Sequence, residues 1–465
     1  MTPDSLSRNR RKELKRLKVT KALVESNYPY FGINKKQEIS RLLYEISKRQ
    51  NLPAGDIINH THSILQNAGK SAKKNFAKIK AYLLKNRYPD TFSDNASFRP
   101  YLPKLDLSDS WFCDLKKKQF YPKNVFVEKK VCGCFLVQRL RKLFPKAEFT
   151  EIQSLKDCQH NRRKTTIEDY NKRQDTLFIV SENYDFFKKC PCTPKAYGCG
   201  YHIFNLGFGC PFECTYCYLQ GYTNSAGIIL PANIENFFDG FSAYKKTGMR
   251  IGTGEFLDSL ALDKITGFSV NIAEFLKRHK EITLELKTKS STIENLLKIK
   301  PPGNIVVSWS LNPQRIIDEN EFFTASLNQR IKAALSCTQA GYRVGFHFDP
   351  VVYSGNWQNE YSGLIEKLFS RIKPKHIAWI SIGTFRLNPA LKQIIEKRFP
   401  ENKILDEELL LGYDNKLRYP YTIRYSIYKT MLKMLLKHNN KLKLYLCMEN
   451  ALMWRELNLK MPELL

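Results

Sequence analysis

Three cysteines in one short loop set the chemistry open to this sequence. They stand in the run Gly209-Cys210-Pro211-Phe212-Glu213-Cys214-Thr215-Tyr216-Cys217-Tyr218-Leu219-Gln220, spaced C-x3-C-x2-C. Thiolates this close converge on one centre, which suits a metal or an iron–sulfur cluster. The count of three is informative. A four-iron cubane held by three cysteines keeps one iron open for a small molecule, whereas a closed structural zinc site takes four ligands. A zinc site with its fourth ligand elsewhere in the chain is the competing reading.

Such a loop needs rigid elements beneath it. The apolar residues 202–206 just before it read as a strand. From there strands and helices alternate. Strands are expected at 202–207, 249–254, 282–289, 304–311, 343–352 and 376–384, with helices at 233–246, 327–340 and 361–372 among the gaps. This alternation implies a parallel sheet with right-handed crossovers. Six such units make a partial (β/α)6 barrel of the α/β class, and chemistry on such folds collects at the C-terminal ends of the strands.

Those ends are polar throughout. The second strand ends in Ile251-Gly252-Thr253-Gly254-Glu255, where glycine lets backbone approach a ligand and Glu255 can receive an ammonium group. The third ends at Lys289, which can pair with a carboxylate. The fourth ends in Ser310-Leu311-Asn312-Pro313 and the fifth in His347-Phe348-Asp349-Pro350. Each has a plainer reading. Glu255 or Asp349 can cap the next helix, and His347 reads slightly better as a hydrogen-bonded core histidine. Together, beside a three-cysteine loop, they fit a ligand pocket better than a set of unrelated caps.

The chain has 465 residues, 43% of them hydrophobic, enough for a large folded core. No apolar run is long enough to span a bilayer. The first residues pass into Arg8-Asn9-Arg10-Arg11-Lys12 without an apolar secretory segment, so a cytoplasmic protein with no membrane partner is expected. The net charge of +30 points to a polyanionic partner, nucleic acid above all. A basic proteome or a solubility effect is the alternative. Twelve cysteines in such a chain suggest metal or redox chemistry rather than disulfides. Cys113, Cys158 and Cys337 read as buried small hydrophobes. Cys132 and Cys134 form an isolated C-x-C pair and are not expected to ligate. Cys190, Cys192 and Cys199, just before the main loop, are expected to pack around the first centre, with a second cluster or zinc as the alternative.

Three regions follow. Residues 1–110 form a basic helical extension. Within it, 36–50 places Ile39, Leu42, Leu43 and Ile46 on one face, and 71–88 places Phe76, Ile79, Tyr82 and Leu83 amid Lys73, Lys74, Lys78, Lys80, Lys85 and Arg87. Such a basic face either lies on phosphates or is simply solvated. Pro89 stops the second helix, and 100–103 reads as a linker. Residues 120–190 form a small α/β unit, with strands at 125–127, 148–152 and 176–180 and a helix at 133–144. Residues 200–450 hold the barrel and C-terminal helical and strand elements.

At this point the residues carry a family likeness. The sequence resembles the radical S-adenosylmethionine (radical SAM) superfamily, and within it the spore photoproduct lyase family, as a divergent member. The loop Cys210-x3-Cys214-x-Tyr216-Cys217-Tyr218-Leu219-Gln220 is similar to that family's cluster loop, tyrosines included. Ser308-Trp309-Ser310-Leu311-Asn312-Pro313 is similar to its fourth-strand motif, and 328–334, 340–342, 354–361 and 405–425 also match. The likeness starts near residue 120 and runs almost to the end.

The resemblance implies that Cys210, Cys214 and Cys217 ligate a 4Fe-4S cluster whose open iron chelates S-adenosyl-L-methionine (SAM). It implies that Thr253, Gly254 and Glu255 meet the SAM amino group and Lys289 its carboxylate, with Ser310 and Asn312 lining the same pocket. It further implies reductive cleavage of SAM to a 5′-deoxyadenosyl radical, a reductase or a flavodoxin- or ferredoxin-type electron donor, and a cross-linked thymine lesion in DNA as substrate. One feature departs from the family. Its members carry a cysteine just after the second strand, which returns hydrogen to the product radical; here 255–257 reads Glu-Phe-Leu. Tyr216 and Tyr218 are the candidate catalytic donors, with Cys447 behind them. Two alternatives stay open: radical SAM chemistry on RNA, a peptide or a small molecule, and a non-catalytic basic nucleic-acid-binding protein with a structural metal.

Overall fold

In a computed structural model, residues 3–66, 72–93, 98–113, 115, 120–160, 166–181, 187–222, 225–238 and 248–460 are described. The chain divides into two compact units, Met1–Leu115 with Arg386–Arg424, and Lys116–Phe385 with Tyr425–Leu465. Among the described residues no helix is long and apolar enough to cross a membrane.

The first unit packs four helices, α1 (Pro3–Asn27), α2 (Ile33–Gln50), α3 (Ala54–Gln66) and α4 (Ala72–Arg87). The expected apolar faces supply its core. Ile39, Leu42, Leu43 and Ile46 of α2 meet Ile79 and Leu83 of α4, with Phe76 and Tyr82 partly buried against them. The segment 386–424 joins these helices instead of the barrel that the 200–450 boundary would give it to. Its charges explain why. Glu45 is buried on α2 and accepts from Arg87 at 2.7 Å, Lys392 at 2.8 Å and Arg41 at 3.3 Å. Burial opposes that carboxylate, but Lys392, Arg87 and Arg41 hold its pKa well below the usual range. Arg87, expected on the basic surface of α4, is therefore inside. The stretch expected as a linker at 100–103 is also part of this unit. Pro100 bridges to Leu410, and the carbonyls of Pro103 and Lys104 accept from Arg41 at 2.8 and 3.2 Å.

The second unit holds an eight-stranded sheet curled into a half-barrel. Its strands are β1 (Phe187–Lys189), β2 (His202–Phe204), β3 (Met249–Gly252), β4 (Ile282–Thr288), β5 (Ile305–Ser310), β6 (Arg343–Val351), β7 (Ile377–Thr384) and β8 (Leu444–Leu446). Each lies beside its neighbours in sequence, and all pairs are parallel except β1 with β2. The six expected strands are all present. The two edge strands β1 and β8 complete the sheet. Every residue of β5 and β7 is buried, as covering both faces of a parallel sheet requires. The helices after β5 and β6 include Leu327–Gln339 and Trp357–Phe369. The helix expected at 233–246 lies largely outside the described residues.

A second, four-stranded parallel sheet runs in the order Glu148–Ile152, Asn124–Glu128, Thr176–Val180, Ile228–Pro231. The last strand was not expected. It is only four residues long, and its signal is the apolar Ile228-Ile229-Leu230 after Gly227. Among the cysteines read as core, Cys113 and Cys337 are buried, but Cys158 is half-buried, on the short helix Leu155–His160.

One carboxylate organises the barrel interior. Glu285 on β4, 1% exposed, accepts from His347 Nε2 at 2.7 Å, Trp379 Nε1 at 2.9 Å, Arg250 Nη2 at 3.2 Å and the Ser308 hydroxyl. Arg250 also donates to Tyr445 Oη at 2.8 Å and lies 4.0 Å from the Trp379 ring. One group thus ties β3, β4, β5, β6 and β7, and through Arg250 reaches β8. Close approach is needed here: a Cβ at Gly252 would fall 1.4 Å from Tyr201 Oη.

His347 is the core histidine that its sequence suggested, bonded at both ring nitrogens. Burial, with Lys287 adding, pushes its imidazole down to about 4. The unfolded chain therefore binds more protons between about pH 6.5 and pH 4 than the folded chain does. Stability from this group is expected to be complete above about pH 6.5 and to fall by up to about 3 kcal/mol as pH drops to 4. Urea unfolding at pH 7 and pH 5 reads this slope, and His347→Gln is expected to flatten it. A wild-type profile that is flat over this range contradicts the assignment.

Candidate active site

The cysteine loop leaves β2 at the C-terminal edge of the half-barrel, and separate contacts fix it along its length. Gly207 has φ 146°, and a Cβ there would meet Ile229 O at 2.6 Å. That closeness lets Phe208 pair with Ile229 through hydrogen bonds of 2.9 and 2.8 Å. Gln174 donates to Pro211 O at 2.7 Å. Arg173 donates to Phe212 O at 2.6 Å and to Glu213 at 2.7 Å, a buried ion pair. Glu213–Cys214 pairs antiparallel with Glu321–Phe322. Gln220 then collects Thr215 O at 2.8 Å and Cys217 O at 2.9 Å on one amide.

The three thiols lie together at the centre of this frame. Cys214 is buried, and Cys210 and Cys217 are half-buried. Burial, with Asp258 adding, pushes Cys210 up to about 12. Burial raises Cys214 and Cys217 as well. Backbone N–H groups beside the sulfurs, those of Phe212 and Asp258 at Cys210 and of Leu219 at Cys217, oppose that rise. Among the described residues no three His, Cys, Asp or Glu side chains close round a point as ligands of one bare ion would. A cubane asks for something else, since each thiolate goes to its own iron. Thiols that act on one another electrostatically beside backbone N–H groups fit that demand, because such dipoles favour the thiolate form.

The residues expected around SAM fall into two groups. Gly254 is exposed and Glu255 half-buried, its carboxylate 2.9 Å from Lys188 Nζ. The half-buried Lys289 lies in the field of Glu321 and Cys214, which hold its ammonium pKa up against burial. These three are brought to the strand ends. Thr253, Ser310 and Asn312 are at most 3% exposed. Thr253 Oγ1 donates to Ser259 at 2.6 Å, and Asn312 donates to Glu321 at 2.9 Å and accepts from Tyr361 at 2.7 Å. The side-chain polar groups of Thr253 and Asn312 are thus taken up inside the protein, and the Ser310 carbonyl accepts from Arg330 at 2.9 Å.

The two tyrosines also separate. Tyr216 donates its hydroxyl to Glu321. Burial would raise the Glu321 carboxyl, but Arg330 at 2.6 Å, Lys289 and its hydrogen bonds draw it down to about 2. Tyr218 is 41% exposed, and its hydroxyl donates to Glu255 O at 2.5 Å. Sequence reasoning did not assign Glu321, Arg330 or Asp258. Asp258 accepts from Thr288 Oγ1 at 2.5 Å and Lys289 N at 2.7 Å and so ties the segment after β3 to the end of β4. Its signal was weak: one acidic residue three positions past Glu255.

Comparison with known proteins decides the family. A family model described as spore photoproduct lyase matches residues 120–453. The chain belongs to the spore photoproduct lyase family. The Bacillus subtilis (strain 168) spore photoproduct lyase is 27% identical over 300 residues, covering 62% of this chain and 86% of its own length. That of Geobacillus sp. (strain Y412MC61) is 26% identical over 301 residues, with the same coverage. A solved spore photoproduct lyase complexed with dinucleoside spore photoproduct superimposes with a TM-score of 0.61 at 22% identity. It covers 71% of this chain and 100% of its own, which shows the shared fold. Both the resemblance and the half-barrel expected from sequence are thereby borne out. At 255–257 the structure engages all three side chains. Glu255 pairs with Lys188, Phe256 stacks on Phe208 with ring centroids 4.1 Å apart, and Leu257 is buried.

Proposed function

We propose that the protein is a radical SAM lyase that repairs a thymine-derived photolesion in DNA. The observation that carries this is the three-thiol loop, framed by Arg173, Gln174 and Gln220, at the strand ends of a half-barrel in a spore photoproduct lyase family chain. A relative of this family has been solved with bound AdoMet and dinucleoside spore photoproduct.

Cys210, Cys214 and Cys217 hold the 4Fe-4S cluster. Together with SAM, such a cluster would supply radical hydrogen-abstraction chemistry at this loop. Gly254 and Glu255 receive the SAM amino group, and Lys289 its carboxylate. Thr253, Ser310 and Asn312 position these groups from below. A reductase or flavodoxin- or ferredoxin-type protein delivers the electron.

Tyr218 takes the role of hydrogen donor, because its hydroxyl rests on the carbonyl of residue 255, where the family's cysteine is missing. Tyr216 is instead held by Glu321 and fixes the loop. The exposed Tyr218 and Tyr222, ring centroids 5.8 Å apart, offer a stacking surface for bases, and the +30 charge suits a polyanion.

The chemistry is tested anaerobically with cluster-loaded protein, SAM and dithionite. Formation of 5′-deoxyadenosine is expected; none from a fully loaded cluster overturns the reading. Tyr218→Phe is expected to keep SAM cleavage while lesion turnover falls about 10-fold or more. Equal loss of both would move Tyr218 to a structural role.

A further inference from the structure

The helix α1 sorts its cations onto two sides. Those turned inward are matched. Arg10 Nε meets Glu401 at 2.9 Å, and its Nη1 donates to Cys113 O at 2.5 Å. Arg16 Nη1 meets Glu13 at 2.5 Å. Those turned outward, Arg8, Arg11, Lys12, Lys15, Lys18 and Lys21, are all exposed. None of them has a hydrogen bond, ion pair or ring contact with another described residue. The acidic residue in this stretch, Glu13, is buried and engaged by Arg16 and Tyr44. The next one, Glu25, pairs with Lys36 at 2.5 Å. The outer face over 8–21 therefore carries positive charge alone.

The spacing makes a stripe of it. Arg8, Arg11, Lys12, Lys15 and Lys18 fall within a sector of about 120° on the helix, and the run to Lys21 is about 20 Å long. Its neighbours three and four residues apart are alike in sign: Arg8 with Arg11 and Lys12, Arg11 with Lys15, Lys15 with Lys18, and Lys18 with Lys21. Such pairs weaken a helix. A polyanion laid along the stripe offsets that repulsion. Duplex DNA carries one negative charge per about 1.7 Å of its axis, so about 20 Å of it presents about a dozen charges to the stripe.

We propose that the outer face of α1 is a docking surface for the phosphate backbone of duplex DNA. The opposite face decides against a lipid surface. A helix lying in a membrane interface needs its apolar side free, and here Leu17 and Val24 are packed inside the helical unit. Phosphate contacts hold a duplex without reading its sequence, which suits a protein whose target is a lesion in any sequence. The stripe lies outside residues 120–453, the part matched to the family, so it is a hold on DNA that this chain adds. The choice of DNA rests on the function proposed above.

The test measures binding of the cluster-loaded full chain to an undamaged duplex, without SAM, over a range of salt concentrations. Arg11→Gln, Lys12→Gln, Lys15→Gln and Lys18→Gln combined are expected to weaken binding about 10-fold or more, and to lower the slope of log affinity against log salt by about 3 to 4. An unchanged melting temperature shows that the helical unit has folded. A control of equal charge, Lys332→Gln, Lys367→Gln, Lys373→Gln and Lys375→Gln combined, uses exposed lysines of the second unit and is expected to stay within about 3-fold of wild type. Equal losses in the two variants overturn the proposal, because net charge alone would then account for binding. So does a stripe variant that binds DNA as wild type does, or one that loses binding only to phosphatidylserine vesicles. The probe carries no lesion and no SAM is present, so failure of the stripe and failure of the lesion chemistry are read separately.

Discussion

Cys214→Ala is expected to leave a folded chain with no intact cluster and no 5′-deoxyadenosine formation above background. Cys214 is the buried member of the three thiols, and its backbone is the part of the loop zipped to Glu321–Phe322. The substitution removes a sulfur and little else. The frame does not depend on that thiol, since it is held by Arg173, Gln174, Gln220 and the pairing with 321–322. Loss of the thiolate-to-iron absorbance, with an unchanged far-ultraviolet spectrum and melting temperature, is the expected pair of readouts. A full cluster on the variant would show that the wrong ligand had been chosen. The single change separates chemistry from folding because the Glu213–Arg173 and Glu321–Arg330 ion pairs that support the loop stay in place.

The second large effect is on stability. Glu285→Gln is expected to cost about 3–5 kcal/mol, the range for breaking one partner of a buried ion pair. The reason lies with Arg250. Its Nε and Nη1 have no hydrogen-bond partner, and its charge is met by Glu285 at 3.2 Å and by the faces of Trp379, Tyr201 and Tyr445. Ring faces give about 1–2 kcal/mol, which does not offset an uncompensated buried guanidinium. A glutamine also has one acceptor oxygen where the carboxylate has two, so His347, Trp379, Ser308 and Arg250 cannot all be served. Denaturant unfolding near pH 7 measures the loss. A change below about 1 kcal/mol would mean that Glu285 is not the organising charge of the barrel.

The sequence made the half-barrel readable because its strands are long apolar runs and its cysteine spacing is rare. The same spacing marked the loop, and the tyrosines beside it narrowed the family. What stayed hidden depends on long-range pairing. Glu321 lies over a hundred residues from Tyr216, and nothing local shows that they bond. Arg87 looks like any surface cation until Glu45 and Lys392 are placed beside it. The joining of 386–424 to the N-terminal helices comes from the same limit: side-chain chemistry was legible, but the partner was not. Thr253, Ser310 and Asn312 show the converse. Their position in the motif was clear, yet only the structure reveals that all three are buried and that the side chains of Thr253 and Asn312 are already engaged.

The radical chemistry proposed for this loop acts on damaged thymine in DNA. Its most direct measurement is lesion turnover: cluster-loaded protein, SAM and dithionite with ultraviolet-irradiated DNA carrying defined thymine lesions, assayed by product nucleosides. A cross-linked thymine pair is expected to be consumed and returned as thymine, and Cys214→Ala is expected to leave it untouched. SAM cleaved by the wild-type protein while every lesion persists, with DNA bound no better than at non-specific strength, would contradict it.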